Sequence, residues 1–229
     1  MKRFYKKADV READGGFEIL LDGRPVKTPA RERLLVPSPG LAQAIAGEWD
    51  AQGEDIDPRS MPCTGLANAA IDRAAPDPEV FARSLALFGE SDLLCYRAEG
   101  PSALVARQAE TWDPLLTWAR RRFDVDFEIV HGIMHRPQPD MTLKLLAQAV
   151  ASMKPLELAA MSPLVTISGS LIIALALAED AIDLDAAWAA ATLDEVWQFE
   201  QWGEDAEAVK VLEARRQEFA AAYRFLKLL

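Results

Sequence analysis

Residues 17–28 read FEILLDGRPVKT, two apolar-rich runs on either side of Asp22-Gly23. A DG pair between such runs is a strong short-range hairpin signal, because Gly accepts the positive φ of the tight turn. Strands are therefore expected over residues 17–21 and 24–28. Pro25 puts the second at a sheet edge, since it has no N–H to give a central ladder. Working outward, residues 33–36 read as a further strand closed by Pro37, and residues 3–10 as another. Ser38-Pro39 then opens a helix, a capping side chain followed by Pro at the first helical position. Leu41, Ile45 and Trp49 recur every fourth residue along it, an apolar stripe that makes Trp49 a structural residue of the N-terminal core.

The pattern changes at Ala74-Ala75-Pro76-Asp77-Pro78, the clearest boundary in the chain. The expected fold class is α+β: a small N-terminal α+β domain with a β-hairpin sheet over 1–76, then an all-α helical domain over 77–229. Helices are expected from Asp77-Pro78, from Pro101 (with Asp113-Pro114 restarting or bending it), from Asp140, after Pro163, and over 185–202 and 205–229. Residues 127–130 read as an isolated extended piece. The most apolar run, residues 164–178, is LVTISGSLIIALALA, fifteen residues against the ~20 a membrane span needs. It reads as one buried core helix, and no membrane insertion is expected.

The net charge of −11 is unevenly distributed. The first 33 residues are net basic, whereas eleven carboxylates and no Lys or Arg lie between Lys154 and Lys210. Such a surface repels polyanions, so neither nucleic acid nor an anionic membrane is an expected partner. The two cysteines, Cys63 and Cys95, stand in different segments with no CxxC pair, which suits a reducing compartment. The basic N-terminus has no apolar h-region, so a cytoplasmic location is expected.

Motifs that carry chemistry are few. His131 and His135 have the H-x-x-x-H spacing of a helical zinc site, but Gly132 stands where the signature needs Glu, and Pro137 and Pro139 argue against a helix. Cys63 has no histidine near it in sequence and reads as a packing residue. No nucleophile elbow, dinucleotide fingerprint or phosphate-binding loop occurs. No catalytic residue, metal or cofactor is expected, and the chain reads as a protein-binding molecule. The alternative is a small-ligand-binding protein or enzyme using a pocket in the helical domain; a third reading is a holdase of broad specificity. Among the six tryptophans, Trp188 and Trp202 flank Glu195 at seven-residue intervals, one face of a continuous helix. Glu195 is then either a buried hydrogen-bonded group or part of an exposed contact point.

The ordered blocks RFYKKADV (3–10), LLDGRPVKTPA (20–30), LAQAIAGEWDAQGEDIDPRSMPCTGLANAAIDR (41–73), SDLLCYRAEGP (91–101), QAETWDPLLTWA (108–119), GSLIIALALA (169–178) and LDEVWQFEQWGEDAEA (193–208) span nearly the whole chain. In them the sequence resembles the ATP synthase assembly chaperones that handle the α subunit of the soluble catalytic sector, found in mitochondria and some bacteria. The resemblance implies an N-terminal α+β domain followed by a helical one. It also implies a non-enzymatic protein that binds the unassembled α subunit and shields the surface destined for the β subunit. Mitochondrial members carry a presequence that is not evident here, which points to a bacterial member. The family's closing motif contains an important carboxylate. Its best match is Glu195, and Gln198, Trp202, Gly203 and Asp205 belong to the same block, giving Glu195, Gln198, Trp202 and Asp205 as client-binding candidates.

Overall fold

The computed structural model describes all 229 residues. In chain order the elements are strands β1 (Ala8–Ala13), β2 (Gly16–Leu21), β3 (Arg24–Pro25) and β4 (Leu35–Val36), then helices α1 (Pro39–Asp50), α2 (Pro62–Ala69) and α3 (Pro78–Ala86). Strand β5 (Tyr96–Arg97), helix α4 (Ser102–Phe123) and strand β6 (Val130–His131) follow. Helices α5 (Asp140–Ala151), α6 (Pro155–Ser168), α7 (Leu171–Ala178), α8 (Leu184–Ala191), α9 (Leu193–Trp202) and α10 (Ala206–Lys227) complete the chain. The α+β class expected from the sequence is what the structure has.

Two compact units form. The first comprises Met1–Pro78 together with two later segments, Lys154–Ala160 and Ala221–Leu229. The second comprises Glu79–Met153 and Met161–Ala220. A single cut at residue 76 contains neither returning segment.

In the first unit β2 is the organising strand. It pairs antiparallel with β1, from Ala8↔Leu21 to Ala13↔Gly16, and on its other edge with β3 and β4. The turn between β2 and β3 has φ of 48° at Asp22 and 78° at Gly23, the two positive values that a two-residue hairpin of matching twist requires. Gly16 is required sterically, because a Cβ there would lie 2.4 Å from the Val36 carbonyl oxygen. The strand expected over residues 3–10 begins only at Ala8, and residues 3–7 are not strand. The Arg3 guanidinium donates to the carbonyls of Tyr5, Asp50 and Gln52 instead, taking the main chain out of the sheet pattern.

Helix α1 packs against β1 and β2. Ser38 caps it as expected, its Oγ accepting from Leu41 N at 3.0 Å. Leu41 and Ile45 are fully buried, with Ile19, Leu34 and Val36 in the same core. Trp49, third in the stripe, is half-buried against that core, edge-on to Tyr5 at 5.6 Å, and its buried Nε1 has no hydrogen-bond partner. Phe225 and Ala160, from the returning segments, complete the core. Helix α2 has no capping side chain of its own. Glu48 does that work from α1, its carboxylate accepting from Cys63 N at 2.7 Å and Thr64 N at 2.8 Å.

The second unit is built around α7, where Leu171 to Leu177 are all fully buried. A helix apolar on every side must be surrounded, and α4 and α8 pack against it. The expected single core helix over 164–178 is two. Gly169, at φ +66°, ends α6, and Ser170 caps α7 by accepting from Ile173 N at 3.0 Å. Pro163, expected to begin a helix, lies inside α6. Asp92 completes the junction: fully buried, it accepts from Ser170 Oγ at 2.7 Å and from Ile172 N at 3.0 Å, a carboxylate at the positive end of a helix. Burial is the main influence on that carboxyl and pushes its pKa up to about 6, against the opposing pull of these hydrogen bonds.

The helix expected over 185–202 is also broken. Thr192, at φ −114°, separates α8 from α9 while its hydroxyl donates to Trp188 O at 2.8 Å. Trp188, Glu195 and Trp202 consequently do not share one helical face. Pro114 sits inside the continuous α4, and Asp140 falls in the first turn of α5 behind a Pro139 cap. The extended piece expected at 127–130 is not isolated. Val130–His131 pairs in parallel with Tyr96–Arg97, so this otherwise helical unit holds one two-stranded sheet.

Candidate client-binding site

The four client-binding candidates lie on or just after α9, and the structure separates them into three settings. Leu193 is buried and anchors the start of the helix. Two residues on, Glu195 is half-exposed and ion-paired with Arg215 of α10, Oε1 to Nη1 at 3.2 Å. The same guanidinium donates to Ile167 O at 2.9 Å, near the end of α6. Both residues border a cavity of about 280 Å³ that Trp112, Thr166 and Gly169 also line.

Gln198 and Trp202 face a different space. Both are exposed, Trp202 to 79%, and both line a groove of about 680 Å³ in the second unit. Pro101 and Leu104 at the start of α4, Ile133 after β6, and Trp197 and Gln201 of α9 form its apolar and amide walls. Asp205 belongs to neither space. Its Oδ1 accepts from Glu207 N at 2.9 Å, at the start of α10, after Gly203 has ended α9 at φ +87°.

Three charged side chains line the groove: Arg97, Glu99 and Asp194. Arg97, the one cation in the lining, is buried and spoken for: it donates to Leu94 O at 2.9 Å and to Asp113 Oδ1 at 2.7 Å, and it stacks on Trp112. Asp194 accepts from Gln108 Nε2 at 2.8 Å, and Glu99 is exposed. Beside the groove Arg107 pairs with Glu200 at 2.6 Å, which holds that carboxyl below its ordinary range.

Sequence reasoning missed Ile133 and Met134. They are 96% and 76% exposed in the loop after β6, between His131 and His135. Two adjacent aliphatic residues inside a Gly- and Pro-bounded loop were the available signal. His135 itself contacts the Tyr96 hydroxyl at 2.9 Å, and no cluster of three or more metal-ligating side chains forms anywhere in the chain. Cys63 and Cys95 are buried free thiols, each pushed up to about 12, chiefly by burial.

Ile133 and Trp202 thus leave two large apolar side chains exposed at this groove. The chain belongs to the ATP12 chaperone family, chaperones of ATP synthase assembly, whose description, ATP12 chaperone protein, is matched by residues 2–120. Among its relatives is the mitochondrial protein atp12 of Schizosaccharomyces pombe, 27% identical over 222 residues, covering 91% of this chain and 76% of the relative. Crystallographic Atp12 from Paracoccus denitrificans superposes with a TM-score of 0.93 at 42% identity, covering 99% of this chain and 97% of that one. The crystal structure of a protein of Agrobacterium tumefaciens superposes with a TM-score of 0.94 at 45% identity, covering 99% of this chain and 85% of that one. No helix is long and apolar enough to cross a membrane.

Proposed function

We propose that this chain binds the unassembled α subunit of the ATP synthase, covers the surface that later meets the β subunit, and does so in the bacterial cytoplasm without catalysing a reaction. One observation carries the reading beyond family membership: the second unit presents Trp202 and Ile133 to solvent at a groove, with Met134 exposed next to Ile133 in the chain. An obligate subunit interface, when alone, exposes a large apolar area that drives wrong association. Covering it calls for a matching apolar surface of modest affinity, one that the final partner can displace. Glu195, Gln198, Trp202 and Asp205 remain the proposed client contacts, with Gln198 and Trp202 at the groove and Glu195 acting beside Arg215.

The test is size-exclusion chromatography of the chain with isolated α subunit and, separately, with preassembled α–β complex. Co-elution with the first alone supports the reading; co-elution with neither overturns it. The same chain challenged with nucleotides and divalent metals should keep its melting midpoint, since a ligand that binds only the folded state raises it.

A further inference from the structure

Two side chains on the second unit are exposed far beyond what a satisfied surface needs, and they border the same groove from different elements. Ile133 projects from the loop after β6 and Trp202 from the last turn of α9, at 96% and 79% exposure. Trp202 in particular belongs to the residue types that anchor interfaces when buried by a partner. Between them the groove of about 680 Å³ has room for a few side chains rather than a whole interface. Its electrostatics select further. Glu99 and Asp194 line it, while the only lining cation, Arg97, is buried in its pair with Asp113. Beyond Trp202 the chain continues through Glu204, Asp205 and Glu207, all exposed.

We infer that this groove receives a short apolar segment of the protein client flanked by Lys or Arg, with Ile133 and Trp202 closing on the apolar side chains and Glu99 with the acidic stretch after Trp202 meeting the flanking cations. The inference deepens the proposed chaperone function and rests on it for the identity of the client. Opposite charge around the apolar centre speeds encounter and excludes acidic segments, so selectivity resides in the flanks and retention in the centre.

The experiment uses the full chain and two labelled synthetic peptides with one Leu- and Val-rich centre, flanked by Lys in one and by Glu in the other. Fluorescence anisotropy should show the Lys-flanked peptide binding at least roughly ten-fold more tightly, with the advantage shrinking as salt is raised. Ile133→Asp and Trp202→Ala should each weaken that binding, with unchanged melting midpoints, while Ile133→Leu retains it. Equal binding of the two peptides, binding of neither, or wild-type binding by both Ile133→Asp and Trp202→Ala overturns the inference. Isolated α subunit, measured with the same variants, separates the two levels. Selective peptide binding without α-subunit binding contradicts the client assignment and leaves the groove. Binding of α subunit that ignores both variants contradicts the groove and leaves the assignment.

Discussion

Glu195 is tied to Arg215 across α9 and α10 at 3.2 Å, and Arg215 reaches on to the carbonyl of Ile167 at 2.9 Å. The carboxylate is thus neither a solitary acid nor buried between two indoles. It is one arm of a half-exposed three-point tie, and its partner keeps a second acceptor if Glu195 is lost. Glu195→Lys should therefore lower stability by only about 1 kcal/mol, the scale of a partly exposed pair plus local repulsion. The combined change Glu195→Lys with Arg215→Glu should recover part of it. If α-subunit affinity falls in Glu195→Lys and not in Glu195→Gln, the sign of the charge at the client contact is what matters. Chemical denaturation and affinity measurements on the same three proteins check this, and a collapse of the fold in Glu195→Lys contradicts it.

Trp202 should be dispensable for folding. It is 79% exposed, so Trp202→Ala removes little area buried on folding and should shift the denaturation midpoint negligibly. A loss of more than about 1 kcal/mol would mean that the indole packs against the unit in solution.

Trp49 should behave in the opposite way. Half-buried against the first core and edge-on to Tyr5, it should cost about 2–3 kcal/mol when changed to Ala, less than the ~3–5 of a fully buried aromatic. Its Nε1 is buried without a partner, so Trp49→Phe removes an unpaired donor along with some packing and should be the milder change. Equal losses for the two variants would show that the indole N–H is satisfied in solution.

How these residues looked in the sequence explains which parts of the molecule were legible. The hairpin at Asp22-Gly23 and the Ser38-Pro39 helix start are fixed by local backbone chemistry, and both stand where the sequence put them. The breaks at Gly169 and Thr192 were missed because hydrophobic content runs straight through them. The first depends on a distant partner, Asp92, which holds Ser170, whereas at the second Thr192 turns its hydroxyl back on Trp188 O, a choice no hydrophobic pattern encodes. At the site, the closing motif points to α9 and the residues just after it, where Gln198, Trp202 and Asp205 are exposed and Glu195 is half-exposed. Sequence spacing could not show that Glu195 and Gln198, three residues apart, open onto different cavities. Ile133 enters the groove from a strand pairing of Tyr96 with Val130, a long-range contact no local pattern encodes.

Asp92 gives stability a pH signature. Its folded pKa, raised to about 6 from an ordinary carboxylate value, means that the native state keeps a proton which the unfolded chain releases. Its contribution is therefore full below the unfolded pKa near ~4 and is lost as pH rises through about 6, a swing on the order of 3 kcal/mol. Asp92→Asn cannot titrate, and it also turns an amide donor toward a backbone N–H. The variant should be less stable at pH 7, and the gap between the two proteins should change between pH 5 and pH 7. Parallel stability profiles for wild type and Asp92→Asn would rule this out.

Both thiols should be silent in the native state. With Cys63 and Cys95 buried and each pushed up to about 12, almost no thiolate exists at neutral pH. A colourimetric thiol reagent should react with neither residue in the folded protein and with both in denaturant. Rapid native reaction of one thiol would reveal local opening of its unit.

In the proposed function, this member of the ATP12 chaperone family holds isolated ATP synthase α subunit until its partner arrives. Light scattering of α subunit diluted from denaturant tests it most directly, with this chain, an inert acidic protein of similar size, or nothing added. The account predicts suppressed scattering with this chain alone, and release of the α subunit when β subunit is supplied. Scattering equal to that with the inert protein would contradict it.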